Sequence, residues 1–293
     1  MAFAIPQKRQ QLAVSAGPSL AVLVFSSLDI FALVLVALVL VTALASKRIH
    51  RNKTWYLYMF SQLLFAIAFL LHPFKSSQFR PTFVPCLVQS MLLYSTPPTA
   101  SWAFFSLVVE LYLVASGTPL RKAQFVLLFS VPIFVLIGIS TVILVMGLKN
   151  PSLVKMGSAA MYCTLNSHTP SQISAFACLI GVTIDLFIFS MLAFRMYRHW
   201  KDLAGRSGLN PRVIEVSLST TIRVGVLIFI PILGFFLAVV HQGTIPQTAY
   251  AGWNCVFPVV PIVSALVFGT QKDMLSATLC IKRRKAPGLS DLS

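Results

Sequence analysis

The dominant pattern in this chain is a series of long, uninterrupted apolar runs. Each is about 17 to 25 residues or longer, which is the length that a helix needs to cross a bilayer. None alternates between apolar and polar positions as the strands of a membrane β-barrel do. The runs predict an all-α polytopic membrane protein with seven spans: Ser19–Ala45, Thr54–His72, Cys86–Ser116, Ala123–Gly147, Ser171–Phe194, Val216–Val240 and Tyr250–Phe268.

These spans divide the chain into three parts. Residues 1–18 are predicted to form an extracellular tail, residues 19–270 a seven-helix domain, and residues 271–293 a cytosolic amphipathic helix with a basic tail. The first apolar run is too long for a cleaved signal peptide and is interpreted as a signal-anchor. The connecting segments are too short for a second domain.

Composition and charge agree with this interpretation. The chain is 57% apolar and 10% charged, which excludes a soluble enzyme or a nucleic-acid-binding module. Of its 23 Lys and Arg residues, 16 fall in the segments predicted to be cytosolic and 6 in the outer ones. This bias predicts a multi-pass plasma-membrane protein with an extracellular N-terminus and a cytosolic C-terminus. The sequon Asn52-Lys53-Thr54 falls on the inner side and is predicted to be unused.

Two of the five cysteines are candidates for a disulfide bond. Cys86 opens the third span on its outer side, and Cys163 lies in the outer loop that follows the fourth span. Both face an oxidising compartment, so we expect a bond between them, and the alternative is two free thiols. Cys280 precedes a cluster of basic residues near the inner membrane surface, where it is a candidate for lipidation and the cluster for contact with anionic membrane lipids.

The arrangement resembles a G protein-coupled receptor. Seven spans are combined with a Cys at the top of the third and a Cys in the second outer loop. Glu110-Leu111-Tyr112 closes the third span where rhodopsin-like receptors carry an acidic residue, Arg and Tyr, although the Arg is replaced here by Leu111. Pro231 lies in the sixth span, where such receptors have a kink proline.

The short loops, the outer-loop segment 161–164 and the ending Phe268-Gly269-Thr270-Gln271-Lys272-Asp273 are similar to orphan seven-helix receptor-like proteins of mushroom-forming fungi. A more distant resemblance is to the fungal lipopeptide pheromone receptors. The resemblance implies a receptor that binds a small or lipid-like ligand from outside and signals to a heterotrimeric G protein. It also implies a short eighth helix on the membrane.

Ionisable residues inside spans are functional hypotheses because their burial in lipid is costly. At 1.5 Å per residue, Asp185 and Arg223 both lie about 15 Å above the inner boundary, on consecutive helices, and are predicted to pair. Glu110, next to Tyr112, is an alternative partner for Arg223. The pair is either a switch that holds a closed state or a static contact that fixes helix register. Asp29 has no obvious basic partner and could bind an ion, donate or accept hydrogen bonds, or be protonated.

The resemblance also implies a ligand site between the outer halves of the helices. Polar and aromatic side chains at that depth are the candidates: Gln89, Tyr94, His241, Tyr250, Trp253 and Asn254. The alternative role of Tyr250 and Trp253 is that of aromatic residues at the membrane interface.

The alternative function is a small-molecule transporter or channel, for which the Pro97-Pro98 pair in the third span is the one hint. An enzyme is not expected, because the five histidines form no zinc-binding pattern and no Gly-x-Ser-x-Gly motif is present. A retinal protein would need a Lys within the seventh span. We therefore expect no cofactor, no metal and no nucleic acid.

Overall fold

The computed structural model of the chain describes residues 20–46, 51–71, 82–118, 121–156, 162–204, 223, 225–229, 255–271 and 274. This part of the chain is mostly helical. Its elements with both ends described follow in the order α1 Leu20–Ala45, α2 Lys53–Leu70, α3 Phe83–Ala115, α4 Lys122–Lys149, β1 Val154–Met156, β2 Cys163–Leu165, α5 His168–Ala204 and α6 Val259–Gly269. A single 3-10 turn, Pro151–Leu153, joins α4 to β1.

Four of the described helices are long and apolar enough to cross a membrane: Val22–Ala45, Phe83–Val114, Lys122–Lys149 and His168–Arg195. Helix α2, with 18 residues, occupies the predicted second span. Helix α6 is a shorter apolar helix that covers the second half of the predicted seventh span. Of the predicted sixth span, Arg223 and residues 225–229 are described, and they are helical.

The distribution of polar and apolar side chains is inverted relative to a soluble protein. Large apolar side chains point outward from the long helices, with Phe134 72% and Phe187 66% exposed. Polar side chains are buried between the helices, including Asp29, Gln62 and Thr96 at 1% exposure each. An outward apolar surface of this kind is stable in lipid and not in water. The prediction of a mostly helical, membrane-embedded protein is thus confirmed. Seven spans and an eighth helix stay predictions.

Helix α3 lies at the centre of the described bundle and packs against α2, α4 and α5. Helix α1 packs on the other side of α2 and also contacts α6. The largest apolar cluster joins α1, α2, α3 and α6 through Val36, Met59, Val108 and Phe268, each at most 5% exposed.

Helix α3 continues without a break through Pro97-Pro98. Proline lacks a backbone N–H, so the carbonyls one turn earlier lose their helical partner. Hydroxyl groups are frequent along this helix and bond to its own carbonyls: Ser95 donates to Met91 at 2.8 Å and Thr99 donates to Ser95 at 2.7 Å. Such bonds satisfy the hydroxyls inside the bundle and adjust the helix around the prolines.

The strands form an antiparallel pair with Val154 opposite Leu165 and Met156 opposite Cys163. The hairpin was not predicted from the sequence. Helix α5 also differs from prediction, since it continues to Ala204, ten residues beyond Phe194.

Candidate functional site

A disulfide bond attaches the hairpin to one end of the bundle. Cys86 in the first turn of α3 and Cys163 at the start of β2 are bonded, with their Cα atoms 5.3 Å apart. Both side chains are buried. The predicted bond is therefore confirmed over the alternative of free thiols. We refer to this end of the bundle as the disulfide end and to the other as the opposite end.

Gln89 attaches the same hairpin by hydrogen bonds. Its Oε1 accepts from the backbone N–H of Cys163 at 3.0 Å, and its Nε2 donates to the carbonyls of Ala68 and Phe69 at 3.3 Å each. The side chain is completely buried. Gln89 thus joins the end of α2, the start of α3 and the hairpin. This structural role was not foreseen, and the expected contact with a ligand stays a prediction.

Five aromatic rings pack together between α1, α2, the start of β2 and the turn before α6. The ring centroid of Phe69 lies 5.5 Å from that of Phe25, 5.6 Å from Tyr162 and 5.7 Å from Phe257. Phe65 completes the group at 5.2 Å from Phe69. We call these five residues the aromatic cluster. Burial against these rings raises the pKa of Tyr162, so its phenol is neutral at physiological pH.

The remaining ligand-site candidates fall into two groups. Tyr94 is partly buried and packs beside Ile139, Ile143 and Leu165, at the contact of α3, α4 and β2. His241, Tyr250, Trp253 and Asn254 lie outside the described residues, as does the lipidation candidate Cys280.

Among the described residues, two carboxyl groups are buried inside the bundle. Asp29 on α1 is 1% exposed and Asp185 on α5 is 2% exposed. In the described ranges, both oxygens of Asp29 and the Oδ1 of Asp185 have no hydrogen-bond partner. A buried carboxyl group without partners is unfavourable in either protonation state, because the acid needs an acceptor and the carboxylate needs donors.

The predicted ion pair between Asp185 and Arg223 is not formed. The Nη1 of Arg223 donates to the backbone carbonyl of Val267 on α6 at 2.9 Å, and the Oδ1 of Asp185 has no hydrogen-bond partner within the described part of the chain. Matching the two residues in depth did not fix the direction in which each helix presents its side chain. Glu110, the alternative partner for Arg223, is also engaged elsewhere.

A buried hydrogen bond links α2 to α6 in the middle of the bundle. The hydroxyls of Tyr58 and Ser264 are 2.7 Å apart, and the Ser264 hydroxyl donates to the carbonyl of Val260 at 2.9 Å. Because the single proton of Ser264 is used in that second bond, Tyr58 is the donor in the first. This pair was not predictable from the sequence, since two hydroxyl residues 206 positions apart show no recognisable spacing.

At the opposite end, Glu110 accepts a hydrogen bond from the hydroxyl of Thr54. Thr54 is fully buried at the start of α2, and Glu110 lies in the penultimate turn of α3. Thr54 is also the third residue of the sequon, so its hydroxyl is committed to this contact between helices. The acidic residue of the Glu110-Leu111-Tyr112 motif therefore pairs with α2.

Arg195 on α5 occupies the position beside Tyr112 at this end. Its Nη1 donates to the hydroxyl of Ser116 and lies 3.5 Å from that of Tyr112. The guanidinium carbon also lies 5.7 Å from the centre of the Tyr112 ring, within the range of a cation–π contact. Although position 111 has no Arg, a guanidinium group from another helix lies against the motif.

Among the described residues, no three His, Cys, Asp or Glu side chains are grouped so that they could hold a metal ion. No protein-family model matches the chain, and no curated protein matches it either.

Proposed function

We propose that this chain is an integral membrane receptor of the G protein-coupled type. It has seven spans, an extracellular N-terminus and a cytosolic C-terminus in the plasma membrane. It binds a small or lipid-like ligand from outside and signals to a cytosolic partner, such as a heterotrimeric G protein, by rearrangement of its helices. The sequence resemblance, the topology bias and the inverted polarity of the bundle support this proposal.

The disulfide end is proposed to face outward. Structural disulfides persist in oxidising compartments and are rare in the cytosol. The Cys86–Cys163 bond lies at the end where α2 ends and α3 begins. The Lys and Arg distribution assigns the same end to the outside, so the two arguments agree.

The observation that carries the proposal is the difference between the two ends of α3. At the disulfide end, one covalent bond and one hydrogen bond, from the N–H of Cys163 to Gln89, hold the hairpin on α3, and Gln89 also donates to two carbonyls at the end of α2. At the opposite end, the exposed Arg195 joins α5 to α3 through side-chain hydrogen bonds. A bundle that is braced outside and reversibly closed inside can transmit a change between two states.

Arg195 is proposed to hold the closed state. The contact with Ser116 and Tyr112 fastens the inner ends of α3 and α5, at the face of the bundle where a cytosolic partner would bind. The switch expected from Asp185 and Arg223 required a pair that is not formed, and the Arg195 contact takes its place in the proposal.

The test compares Arg195→Ala with Arg198→Ala. Arg198 is a matched control because its guanidinium lies over the ring of Phe194 on its own helix, 4.7 Å from the ring centre, and the charge change is identical. An exposed contact of this type contributes up to about 1 kcal/mol, which corresponds to roughly a fivefold shift between two states. We expect Arg195→Ala to raise basal G-protein dissociation in cells roughly threefold to fivefold at equal surface expression, and Arg198→Ala to leave it unchanged.

A distance measurement tests the same contact without any G protein. Spin labels are attached to cysteines introduced at the exposed positions Val114 and Tyr197, and they report the separation of α3 and α5 at the opposite end. The native cysteines outside the disulfide bond are replaced beforehand. Arg195→Ala should increase the population with the longer distance. If both arginine variants give the wild-type distance distribution, Arg195 does not hold the closed state.

The second candidate function is a cation-coupled small-molecule transporter. The observation that favours it is the pair of buried carboxyl groups, Asp29 and Asp185, without a basic partner among the described residues. Transporters use such groups to carry protons or cations across the membrane. Proton-driven uptake into liposomes that contain only this protein, lost in Asp185→Asn, would favour the transporter over the receptor.

A further inference from the structure

Asp29 is a buried acidic group whose role is not explained by the contacts of the bundle. It lies in the interior of α1 at 1% exposure, and neither carboxyl oxygen has a hydrogen-bond partner among the residues that the structure describes. A charged side chain inside a membrane protein costs several kcal/mol unless it is paired, so an intramembrane Asp is a functional hypothesis by default. The natural partner of a carboxylate in such a place is a cation.

Helix geometry places Asp29 on the same buried face of α1 as Phe25, a member of the aromatic cluster. Phe25 precedes Asp29 by four residues, so the two side chains share one face of the helix. Side chains on a helix lean toward its N-terminus. The N-terminus of α1 lies at the disulfide end, where Phe25 meets Phe69 at 5.5 Å and Tyr162 at 6.1 Å.

The combination of a carboxylate and aromatic rings has a specific chemical preference. The faces of Phe and Tyr rings attract organic cations, and groups of such rings recognise alkylammonium ions. The carboxylate supplies the opposite charge and accepts N–H donors. A neutral ligand would satisfy the rings but leave Asp29 unpaired inside the protein.

We infer that Asp29, with Phe25, Phe69 and Tyr162, forms a binding site for a small apolar amine. The ammonium group pairs with the carboxylate of Asp29, and the hydrocarbon part lies among the rings. Of these four residues, Tyr162 is the one that lies outside the helices, directly before β2.

This inference names the ligand class of the proposed receptor and rests on that proposal for its biological meaning. Binding itself requires no signalling, so the two can fail separately. The aromatic rings contact one another in this structure, so binding of the hydrocarbon part requires the rings to separate.

The experiment measures thermal unfolding of the full-length protein in detergent with 3-methylbutylamine hydrochloride. The comparison ligand is 3-methyl-1-butanol, which has the same carbon skeleton and no charge, and sodium chloride keeps the ionic strength constant. We expect the amine to raise the Tm of the wild-type protein in a saturable manner, because a ligand that binds only the folded state stabilises it. The alcohol should produce no saturable increase.

Asp29→Asn removes the charge with almost no change of shape and should weaken the apparent affinity for the amine at least tenfold. Asp185→Asn is the matched control, since it neutralises a second carboxyl group that is buried in the described bundle, and it should retain the wild-type affinity. Phe25→Leu keeps Asp29 and removes one ring, and we expect an affinity roughly threefold to tenfold lower. This variant keeps the proposal testable if Asp29→Asn does not fold.

Equal stabilisation of the wild-type protein by amine and alcohol would overturn the inference. So would unchanged amine affinity in Asp29→Asn, or a loss that occurs in Asp185→Asn instead. If the amine binds as expected but changes neither G-protein dissociation nor the distance between α3 and α5, the site stands and the receptor proposal fails.

Discussion

Replacing Cys86 by Ser is expected to lower the stability of the folded protein by about 2–5 kcal/mol. The bond joins residues that are 77 positions apart, so its loss frees a long stretch of chain in the unfolded state. Both sulfur atoms are buried, and Cys163 would be left with an unpaired thiol against the hydroxyl of the new Ser. The Tm of the purified protein and its abundance at the cell surface should both fall clearly.

The control for this substitution is Cys178→Ala, because Cys178 is a free cysteine on α5. It should change the Tm by little, and treatment of the wild-type protein with a reductant should reproduce the effect of Cys86→Ser. A Tm for Cys86→Ser equal to that of the wild type would show that the bond does not stabilise the fold.

Replacing Gln89 by Leu is expected to destabilise the protein by about 2–4 kcal/mol. Leu has a similar volume but cannot bond to the N–H of Cys163 or to the carbonyls of Ala68 and Phe69, which then remain buried without this partner. A buried polar group left without a partner costs about 1–3 kcal/mol. Thermal unfolding measures the loss, with Val88→Leu as a control at the neighbouring exposed position.

The double variant Cys86→Ser with Gln89→Leu tests whether the two anchors act on the same loop. Once one anchor is removed, the hairpin can move, and the second loses part of its effect. We therefore expect the combined destabilisation to be smaller than the sum of the two single effects. The difference should be about 0.5 kcal/mol or more, as for other residues in contact. Strict additivity would mean that the disulfide and Gln89 hold separate parts of the structure.

The apolar runs predicted the helices well wherever hydrophobicity decides the boundary. Helix α1 begins and ends within one residue of its predicted span, because a run of Leu, Val and Ala is bounded by Pro18 and by Ser46-Lys47. The disulfide was predictable because the topology assigned Cys86 and Cys163 to the same side of the membrane.

Other boundaries depend on properties that hydropathy does not report. Helix α5 continues beyond Phe194 because the polar residues that follow, such as Arg195 and Lys201, are good helix formers. The strands Val154–Met156 and Cys163–Leu165 are three residues each, too short to show an alternating pattern.

The contacts between helices were the hardest to predict, because the depth of a residue in the bundle does not give the direction in which its side chain points. Asp185 and Arg223 agree in depth, yet Arg223 bonds to the carbonyl of Val267. The contact of Thr54 with Glu110 could have been predicted from the order of the helices. These residues lie near the start of α2 and the end of α3, and antiparallel neighbours bring such positions together.

The length of α5 has a mechanical consequence. Its 37 residues form a rod of about 55 Å, of which the last ten residues after Phe194 extend about 15 Å beyond the apolar part. A tilt of α5 by about 5° around its midpoint moves either end of the helix by about 2 Å. A small movement near the middle of α5 therefore becomes a larger displacement at its end.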